Sequence, residues 1–593
     1  MYRAPLRELR FVIEELLGAA CLAACPGLAD YSDELAASVL EEAARFAQGV
    51  LDPLNKPGDL EGARWTADGV VTARGFRDAY QQFSAGGWSQ LGAPPEFGGQ
   101  LAPQVLVTAV QELWAAANLA FKLCPMLTHG AVHALELSGT PAQKQLFLPK
   151  MVSGEWTGTM DLTEPQAGSD LAQVRTRAVP DGKRYRLFGQ KIFITWGDHD
   201  MTPNTIHMVL ARIEGAPPGV RGISLFIVPK VLVNPDGSLG ERNEVRCVSI
   251  EHKLGIHASP TCVLAFGDQD GAEGYLVGEP NRGLEYMFIM MNAARLSVGL
   301  EGYAMGERAF QHALDWARNR IQGKPPVAQP GGPAPIINHP DVKRMLLTMK
   351  SSTEAARALA LYGAFQLDLA TFSADESQRA ASQARADLLI PIVKGWCTEI
   401  GNEMTAIGVQ VHGGMGFIEE TGAAQYVRDV RITTIYEGTT GIQSNDLIGR
   451  KLGRDRGAAM TTLLAEISSE LEALPTDHPV TSATRKAALD AVGILKGATQ
   501  SLLEMIDSPR PDRAMAVSVP YLKLCGYVMG GWLMARAAAI AARHKDGSDR
   551  DFYQAKLRTA LFFAQQVLPT AGALAQVVNH GSDSVVDTDA ALV

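Results

Sequence analysis

The chain has 593 residues, of which 46% are hydrophobic and 20% charged, and its formal net charge is −10. This length exceeds what one hydrophobic core organises, so we expect several domains. The 54 Lys and Arg are outnumbered by 64 Asp and Glu, which disfavours a general nucleic-acid binder, because such proteins gain affinity by neutralising phosphates.

The cysteines give no sign of a metal site or a disulfide framework. There are seven, scattered and odd in number, and the close pair Cys21 and Cys25 has no second pair or histidine cluster beside it. We therefore expect reduced thiols in a cytoplasmic protein and no metal.

Two apolar stretches have compositions that a targeting or membrane segment could share. At the N-terminus, Glu14 and Glu15 directly precede the most apolar part, and apolar residues recur at helical spacing, which predicts an amphipathic helix and not a signal peptide. The longest apolar run, 524–535, has twelve residues, too few to span a bilayer. No membrane segment is expected.

Residue composition and hydrophobic spacing change along the chain in a way that predicts a multidomain α+β protein. After an N-terminal helical extension (1–34), helical spacing of Ala, Leu and Glu predicts an N-terminal α domain over 35–155. Short β-branched and aromatic runs with turns and no long helix predict an antiparallel β domain over 156–280. Helical segments return as a predicted bundle over 281–455 and as an appended helical domain over 460–593.

The predicted β region opens with "MDLTEPQAGSDL" (160–171). Gly168 allows the backbone to approach a ligand closely, and Thr163 and Ser169 offer hydroxyl groups. A turn opened at Glu164 accounts for the same residues, and local chemistry does not separate the two interpretations.

The next segment with ligand-binding chemistry is "GQKIFITWGDH" (189–199). Strand alternation places Phe193 and Thr195 on one face, where a flat heteroaromatic ring could stack on the first and be hydrogen-bonded by the second. Aromatic and threonine pairs are also common in sheets that bind nothing, and the segment alone favours that interpretation.

Two helix ends carry further candidates. "QVHGGMG" (410–416) lacks the spacing of a dinucleotide fingerprint, although backbone exposed at Gly413 and Gly414 could meet a phosphate or an adenine. His412 has no visible partner and is expected to be structural. Arg320 lies near a predicted helix end, where either a solvated cation or a phosphate contact makes sense.

The stretch "IYEGTTGIQ" (435–443) sets Glu437 between a tyrosine and a glycine. It follows the alternating run "VRDVRITT" (427–434), which predicts a strand. Local sequence favours a solvated loop carboxylate, and the alternative is a base aimed at a substrate.

In order and spacing, these segments together resemble the acyl-CoA dehydrogenase family of flavoproteins. The resemblance covers residues 35–450 and also includes "EHKLGIHASPTCVLAFGD", "MNAARLSVGLEGYAMGERAFQHALDWARNRIQGK" and "GVQVHGGMGFIEE". The N-terminal head and the extra C-terminal domain resemble a larger subgroup, which includes bacterial 3-methylmercaptopropionyl-CoA dehydrogenases of dimethylsulfoniopropionate breakdown. The family fold of helical domain, β domain and helical bundle agrees with the predicted order.

The resemblance implies a catalytic role for Glu437. It would remove the α-proton of an acyl-CoA while a β-hydrogen leaves as hydride to FAD, and its backbone N–H would bind the thioester carbonyl. Gly438 would leave room for the thioester. Asn292 and Arg295 are expected near the CoA portion, with a structural ion pair as the alternative for Arg295. Ala294 stands where some relatives carry the base, so Glu437 is the matching candidate.

The resemblance also implies cofactor contacts. Residues expected along the flavin ring, ribityl chain or phosphates are Met160, Leu162, Thr163, Gly168, Ser169, Phe193, Ile194, Thr195, Thr439 and Gln443. Ser169 is also expected near bound CoA. Residues expected to reach the FAD of a neighbouring subunit are Arg320, Gln322, Gln410, Gly413 and Gly414. A homo-oligomer, either dimer or tetramer, is implied because one active site would need two chains.

The expected activity is therefore FAD-dependent α,β-dehydrogenation of an acyl-CoA to the trans-2-enoyl-CoA, with an electron-transfer flavoprotein as acceptor. Expected substrates are 3-methylmercaptopropionyl-CoA or short- and medium-chain fatty acyl-CoAs. An acyl-CoA oxidase, which passes the electrons to O₂, is an open alternative. Some relatives with an added C-terminal helical domain bind DNA in an alkylation response, but the mixed charge over 460–593 disfavours that role here.

Overall fold

A computed structural model describes residues 2–326, 333–544 and 546–593. The chain divides into two compact units, and each is built from separate stretches of sequence. Unit 1 comprises Met1–Ala44, Gln104–Ala116 and Arg295–Val593, and unit 2 comprises Arg45–Pro103 and Ala117–Ala294.

The elements follow in chain order. The α-helices are α1 (Leu6–Arg10), α2 (Asp33–Phe46), α3 (Asp52–Glu61), α4 (Phe76–Ala85), α5 (Gln104–Ala117), α6 (Leu119–Ser138), α7 (Pro141–Val152), α8 (Gly283–Asn319), α9 (Pro340–Phe372), α10 (Glu376–His412), α11 (Ala423–Val430), α12 (Thr440–Asp446), α13 (Gly453–Asp455), α14 (Ala458–Ala473), α15 (Pro479–Ile506), α16 (Asp512–Ala516), α17 (Ser518–Ala541), α18 (Arg550–Phe562), α19 (Thr570–His580) and α20 (Asp583–Val586). The strands are β1 (Arg64–Thr66), β2 (Gly69–Val71), β3 (Trp156–Asp161), β4 (Arg177–Asp181), β5 (Arg184–Thr195), β6 (Asn204–Ile213), β7 (Ile223–Pro229), β8 (Val231–Val233), β9 (Leu239–Arg242), β10 (Val245–Ile250), β11 (Thr261–Phe266) and β12 (Ala272–Val277).

Unit 2 is organised around an eight-stranded sheet in the order β10-β11-β5-β12-β7-β6-β3, with β4 pairing with β5 and β6. Its core contains Leu187, Val209, Phe226 and Leu264, and burying each such side chain contributes about 1.5–3 kcal/mol. The predicted β domain is confirmed, but the sheet is not wholly antiparallel, because β3 and β4 both pair with β6 in parallel. The local sequence of a strand cannot reveal whether it pairs in parallel, since the paired strands are distant in sequence.

Unit 1 is helical, and several of its helices pack around α17. This helix contacts α9, α10, α15, α18 and α19 and is buried along nearly its whole length. Close packing requires a glycine where α17 meets α10, because a Cβ at Gly526 would lie 2.1 Å from Cγ of Trp396. The predicted α+β class, with helical domains before and after the sheet and extra helices at the end, is confirmed.

The apolar run 524–535 belongs to a longer helix than its sequence indicates. By length and composition, two helical stretches of the described chain could cross a bilayer, Ser518–Ala541 and Arg550–His580. Of the apolar window in the first, 89% is buried inside the protein, as in a core helix, against 33% for the second.

The run 427–434 is helical, so its prediction as a strand is wrong. α11 extends to Val430, and a 3₁₀ turn, Arg431–Thr434, continues it. The buried side chains at Ala423, Tyr426 and Val430 recur at helical spacing, and this periodicity outweighs the alternation of the residues that follow.

Candidate active site

Glu437 occupies a strained turn in unit 1, between the 3₁₀ turn and α12. Its φ is +53°, and Gly438 follows with φ +87°. The left-handed region is disfavoured for a residue with a side chain and costs on the order of 1–3 kcal/mol unless the surroundings impose it. Such strain concentrates at functional positions, and Glu437 is one of seven non-glycine residues with positive φ in the described chain.

Side chains from two helices hold this turn by its carbonyl groups. Gln443 Nε2 donates to the carbonyl of Glu437 at 3.0 Å and of Gly438 at 3.4 Å, and Lys394 Nζ donates to the latter at 2.5 Å. The φ of +87° favours glycine at position 438, and a Cβ there would lie 2.6 Å from Gln443 Nε2, so the amide that holds the turn would have to move. Thr439 ends the turn by capping α12, where its hydroxyl accepts from the N–H of Ile442 at 3.2 Å.

The Glu437 carboxyl is half-buried and unpaired. Within the described chain it makes no hydrogen bond, and no cationic nitrogen lies within 4.0 Å of it. Burial raises the pKa of Glu437 to about 7, with Lys394 and Arg295 lowering it and Glu301 raising it. Its backbone N–H likewise has no acceptor among these residues. A carboxyl with a pKa near neutrality suits general-base chemistry, and the free N–H suits a carbonyl oxygen.

Arg295 is buried beside this turn and forms an ion pair. Its Nη1 lies 3.2 Å from Oδ2 of Asp446, and burial lowers the pKa of the guanidinium, partly offset by Asp446 and Glu437. The structural ion pair considered for Arg295 is therefore present, and its charge also acts on Glu437. Tyr436 donates its hydroxyl to the carboxylate of buried Glu301.

The other residues that the sequence singles out for the substrate and the base differ in exposure. Asn292 is exposed on α8, and Ala294 is buried and carries no carboxyl group. Gln443 is fully buried, with its Oε1 unpartnered in the described structure. Thr439 and Gly438 are half-buried.

In unit 2, a buried ion pair anchors the segment that begins with Met160. Lys191 Nζ lies 2.8 Å from Oε1 of Glu164 and donates to the carbonyl of Leu162 at 2.9 Å. Burial alone would raise the pKa of Glu164, but Lys191 and hydrogen bonds from Thr176 and the N–H of Arg175 bring it to about 2. The expected turn at Glu164 is present, because the main-chain N–H and carbonyl groups of Glu164 and Ala167 are hydrogen-bonded to each other at 3.0 and 2.9 Å. This turn and the ion pair both fix the segment in place.

Phe193 presents an exposed ring beside this anchored segment. It has φ +60° and a side chain 58% exposed, at a bulge where β5 departs from its register with β11. The N–H of Ile192 donates to the carbonyl of Thr163 at 2.9 Å, which brings the two segments together. By contrast, Ile194 is buried in the sheet core, so only its main chain is available to a cofactor.

These residues of unit 2 fit a flavin. The hydroxyls of Thr163, Ser169 and Thr195 have no hydrogen-bond partner among the described residues, and a Cβ at Gly168 would meet open space. Met160 and Leu162 are half-buried, whereas Gly168 and Ser169 are exposed. An exposed aromatic ring with free hydroxyls nearby matches an apolar ring system that has polar edges.

In unit 1, five predicted cofactor residues lie at neighbouring helix ends. Trp316 of α8 packs on His412 of α10 with ring centroids 5.1 Å apart, and His412 is buried, as expected for a structural residue. This packing joins the chain segments that carry Arg320, Gln322, Gln410, Gly413 and Gly414, all of them exposed. A Cβ at either glycine would meet open space, and Phe417 nearby is 85% exposed.

Lys394 and the pair of Glu164 and Lys191 are functional residues that the sequence patterns did not reveal. A single lysine within the apolar "IPIVKGW" on a helix is a signal that could have identified Lys394, because lysine is almost never fully buried without a partner. The Glu164 and Lys191 pair joins residues 27 positions apart, and only the sheet brings them together.

The anchoring role of Lys191 predicts a cofactor-retention defect. Lys191→Met leaves the Glu164 carboxylate buried without its cation, which costs about 3–5 kcal/mol and loosens the segment from Met160 to Ser169. We expect a lower flavin-to-protein ratio after gel filtration and flavin release at lower temperature. Lys183→Met, at an exposed turn of the same sheet, is the control and should retain flavin. Equal retention by both variants would refute the anchoring role.

Four protein-family models match the chain over most of its length. They are "Acyl-CoA dehydrogenase, N-terminal domain" over residues 34–155, "Acyl-CoA dehydrogenase, middle domain" over 159–269, "Acyl-CoA dehydrogenase, C-terminal domain" over 281–452 and "Acetyl-CoA dehydrogenase C-terminal like" over 463–589.

Curated relatives match from end to end. A 3-methylmercaptopropionyl-CoA dehydrogenase of Ruegeria pomeroyi is 46% identical over 587 residues, covering 99% of each chain. A butyryl-CoA dehydrogenase of Syntrophomonas wolfei is 34% identical and covers 99% of this chain and 98% of its own.

Solved structures share the fold. Caenorhabditis elegans ACDH-11 in complex with C11-CoA aligns with a TM-score of 0.77 at 20% identity, covering 98% of this chain and 96% of that one. An acyl-CoA dehydrogenase of Bacillus anthracis complexed with FAD gives a TM-score of 0.71 at 22% identity, covering 94% and 90%.

Proposed function

This chain belongs to the acyl-CoA dehydrogenase family of FAD-binding oxidoreductases, and we propose that Glu437 is the base with which it removes the α-proton of its acyl-CoA substrate. The observation that carries the proposal is the unpaired Glu437 carboxyl, set on a left-handed backbone, with a pKa raised to about 7 by burial. A carboxylate held by a salt bridge would be a weaker base, because the bond to its partner would have to be given up during proton transfer.

The same turn accounts for activation of the substrate. An α-C–H bond becomes acidic enough only if the negative charge that develops on the thioester oxygen is stabilised. The Glu437 N–H is a free donor, and Gly438 adds no side chain that would block the thioester. Bound FAD supplies the hydride acceptor for the β-hydrogen. Base and carbonyl donor thus belong to one residue, so a single backbone conformation sets both.

For the cofactor, we assign the flavin contacts to the residues around the exposed ring of Phe193. Thr163 and Thr195 offer free hydroxyls to the polar edge of the flavin, and the pair of Glu164 and Lys191 fixes the segment that carries the first. The exposed glycines Gly413 and Gly414, with Arg320, Gln322 and Gln410, are assigned to FAD held by a second copy of the chain. The active protein is then a homo-oligomer in the cytoplasm that delivers electrons to an electron-transfer flavoprotein.

For the substrate, we propose 3-methylmercaptopropionyl-CoA. The support is the 46% identity, over nearly the whole of both chains, to the Ruegeria pomeroyi enzyme of that name. The test compares this thioester with butyryl-CoA and octanoyl-CoA, using an electron-transfer flavoprotein as acceptor. We expect the highest kcat/KM for the methylmercapto substrate. A preference for either fatty acyl-CoA would reject this substrate, and H₂O₂ formation equal to turnover would indicate an oxidase.

The pKa of Glu437 predicts the acid limb of the pH profile. Only the carboxylate can accept a proton, so kcat/KM should rise with pH through an apparent pKa of about 7 and level off above it. The measurement is kcat/KM between pH 5.5 and 9 with a substrate that does not titrate in this range. A profile that is flat from pH 5.5 to 8 would contradict the assigned base.

A further inference from the structure

Lys394 lies fully buried in the middle of α10, in the unit that holds Glu437. Ile392, Val393 and Trp396 are buried around it in the sequence, so the position belongs to the helical core. Lysine is rarely placed there without a carboxylate partner, because its charge loses the stabilisation of water.

The ammonium of Lys394 is satisfied by the active-site turn and not by an ion pair. Its hydrogen bond goes to the Gly438 carbonyl at 2.5 Å, and within the described chain no carboxylate oxygen lies within 4.0 Å of it. The charged groups that act on it are Glu437, Glu301 and Glu399, with Arg295 opposing them. Burial lowers the pKa of Lys394 to about 8, so it carries its charge at neutral pH.

We propose that Lys394 is a positioning residue for Glu437, one that holds the turn by the Gly438 carbonyl and whose positive charge favours the carboxylate form of Glu437. The inference deepens the proposed function and rests on Glu437 being the base. Two effects on one turn support it: a hydrogen bond to the residue after the base, and a positive charge close enough to act on the base itself.

The charge effect has a defined direction. The groups facing Glu437 are Lys394 on α10 and Arg295 and Glu301 on α8, while Asp446 on α12 is paired with Arg295. Burial and Glu301 raise the pKa of Glu437, whereas Lys394 and Arg295 lower it. When Lys394 is removed, only Arg295 still lowers this pKa, and the pKa therefore rises. Proton abstraction then requires a higher pH, and the turn loses the donor that fixes its second carbonyl.

Three substitutions separate the hydrogen bond from the charge. In Lys394→Met both are lost, in Lys394→Gln an uncharged donor remains, and in Lys394→Arg the charge remains. We expect the acid limb of kcat/KM to move up by about one pH unit in the Met and Gln variants, which lowers activity at pH 6.5 by roughly tenfold. The Arg variant should keep the wild-type limb, and KM should change less than kcat in all three.

Lys486→Met, at an exposed site on α15, is the matched control and should keep the wild-type profile. Flavin content and circular dichroism establish that each variant is folded, and the Gln variant carries the test if the Met variant is not. A limb in Lys394→Gln that coincides with the wild type, or one in Lys394→Arg that shifts as far as in Lys394→Gln, would overturn the inference.

Comparing Glu437→Gln with the Lys394 variants distinguishes a failure of the role of Lys394 from a failure of Glu437 as the base. If Glu437→Gln remains active, Glu437 is not the base and the proposed function fails, whatever the Lys394 variants do. If Glu437→Gln is inactive and the Lys394 variants keep the wild-type profile, only the role of Lys394 fails.

Discussion

Glu437→Gln is expected to lower kcat by about 10³- to 10⁴-fold, the upper range for loss of a positioned general base. The amide keeps the size of the side chain and cannot accept the α-proton at neutral pH. Because Gln443 and Lys394 continue to donate to the main-chain carbonyls of Glu437 and Gly438, the fold, the bound FAD and the affinity for acyl-CoA should persist. Steady-state kcat, the flavin-to-protein ratio and the Kd for an acyl-CoA are the measurements.

A matched carboxylate elsewhere serves as the control. Glu472→Gln changes an exposed glutamate of α14 by the same substitution and should leave kcat unchanged. A Glu437→Gln enzyme that turns over within tenfold of the wild type would show that another group removes the proton.

Arg357→Met should destabilise unit 1 by about 3–5 kcal/mol, the usual cost of removing one partner from a buried ion pair. The guanidinium is fully buried on α9 and donates to Glu112 at 2.7 and 2.8 Å and to Glu307 at 2.8 Å. Burial already raises the pKa of Glu112 despite Arg357, so the carboxylate is costly to keep in this position. The measurement is the shift of the chemical-denaturation transition followed by circular dichroism.

Two further variants make this prediction specific. Arg344 lies on the same helix and pairs with Asp341, an exposed partner three residues away. Arg344→Met should therefore lower the free energy of unfolding by no more than about 1 kcal/mol. Adding Glu112→Gln to Arg357→Met should recover part of the loss, because it removes one of the stranded charges. Equal losses for Arg357→Met and Arg344→Met would contradict a role for the buried network in stability.

The order of helical and sheet regions was predictable because it depends on local periodicity and turn chemistry. The sheet pairing was not, since the parallel contacts of β3 and β4 with β6 join strands that are distant in sequence. The run 427–434 was assigned wrongly because its alternation was considered without Ala423 and Tyr426, which complete a helical period. The predicted apolar run of twelve residues likewise proved to be part of a helix of 24.

For the site, the sequence identified the residues whose types and order match a family, but not what holds them in place. Glu437 was a candidate from its setting, whereas its left-handed backbone and unpaired carboxyl follow from tertiary packing. The buried positions of Lys394 and Lys191 depend on helices and strands that no local pattern relates. From sequence, Arg295 is compatible with either a CoA contact or a structural ion pair. Its ion pair with Asp446 depends on the packing of α8 near α12, which the sequence does not show.

The most direct test of Glu437 as the base is a single turnover. The oxidised holoenzyme is mixed anaerobically with saturating acyl-CoA, and flavin bleaching is followed by stopped-flow absorbance in the wild type and in Glu437→Gln. If Glu437 is the base, bleaching is rapid in the wild type and its rate constant is about 10³- to 10⁴-fold smaller in the variant, with substrate bound in both. Bleaching at equal rates in the two enzymes would contradict it.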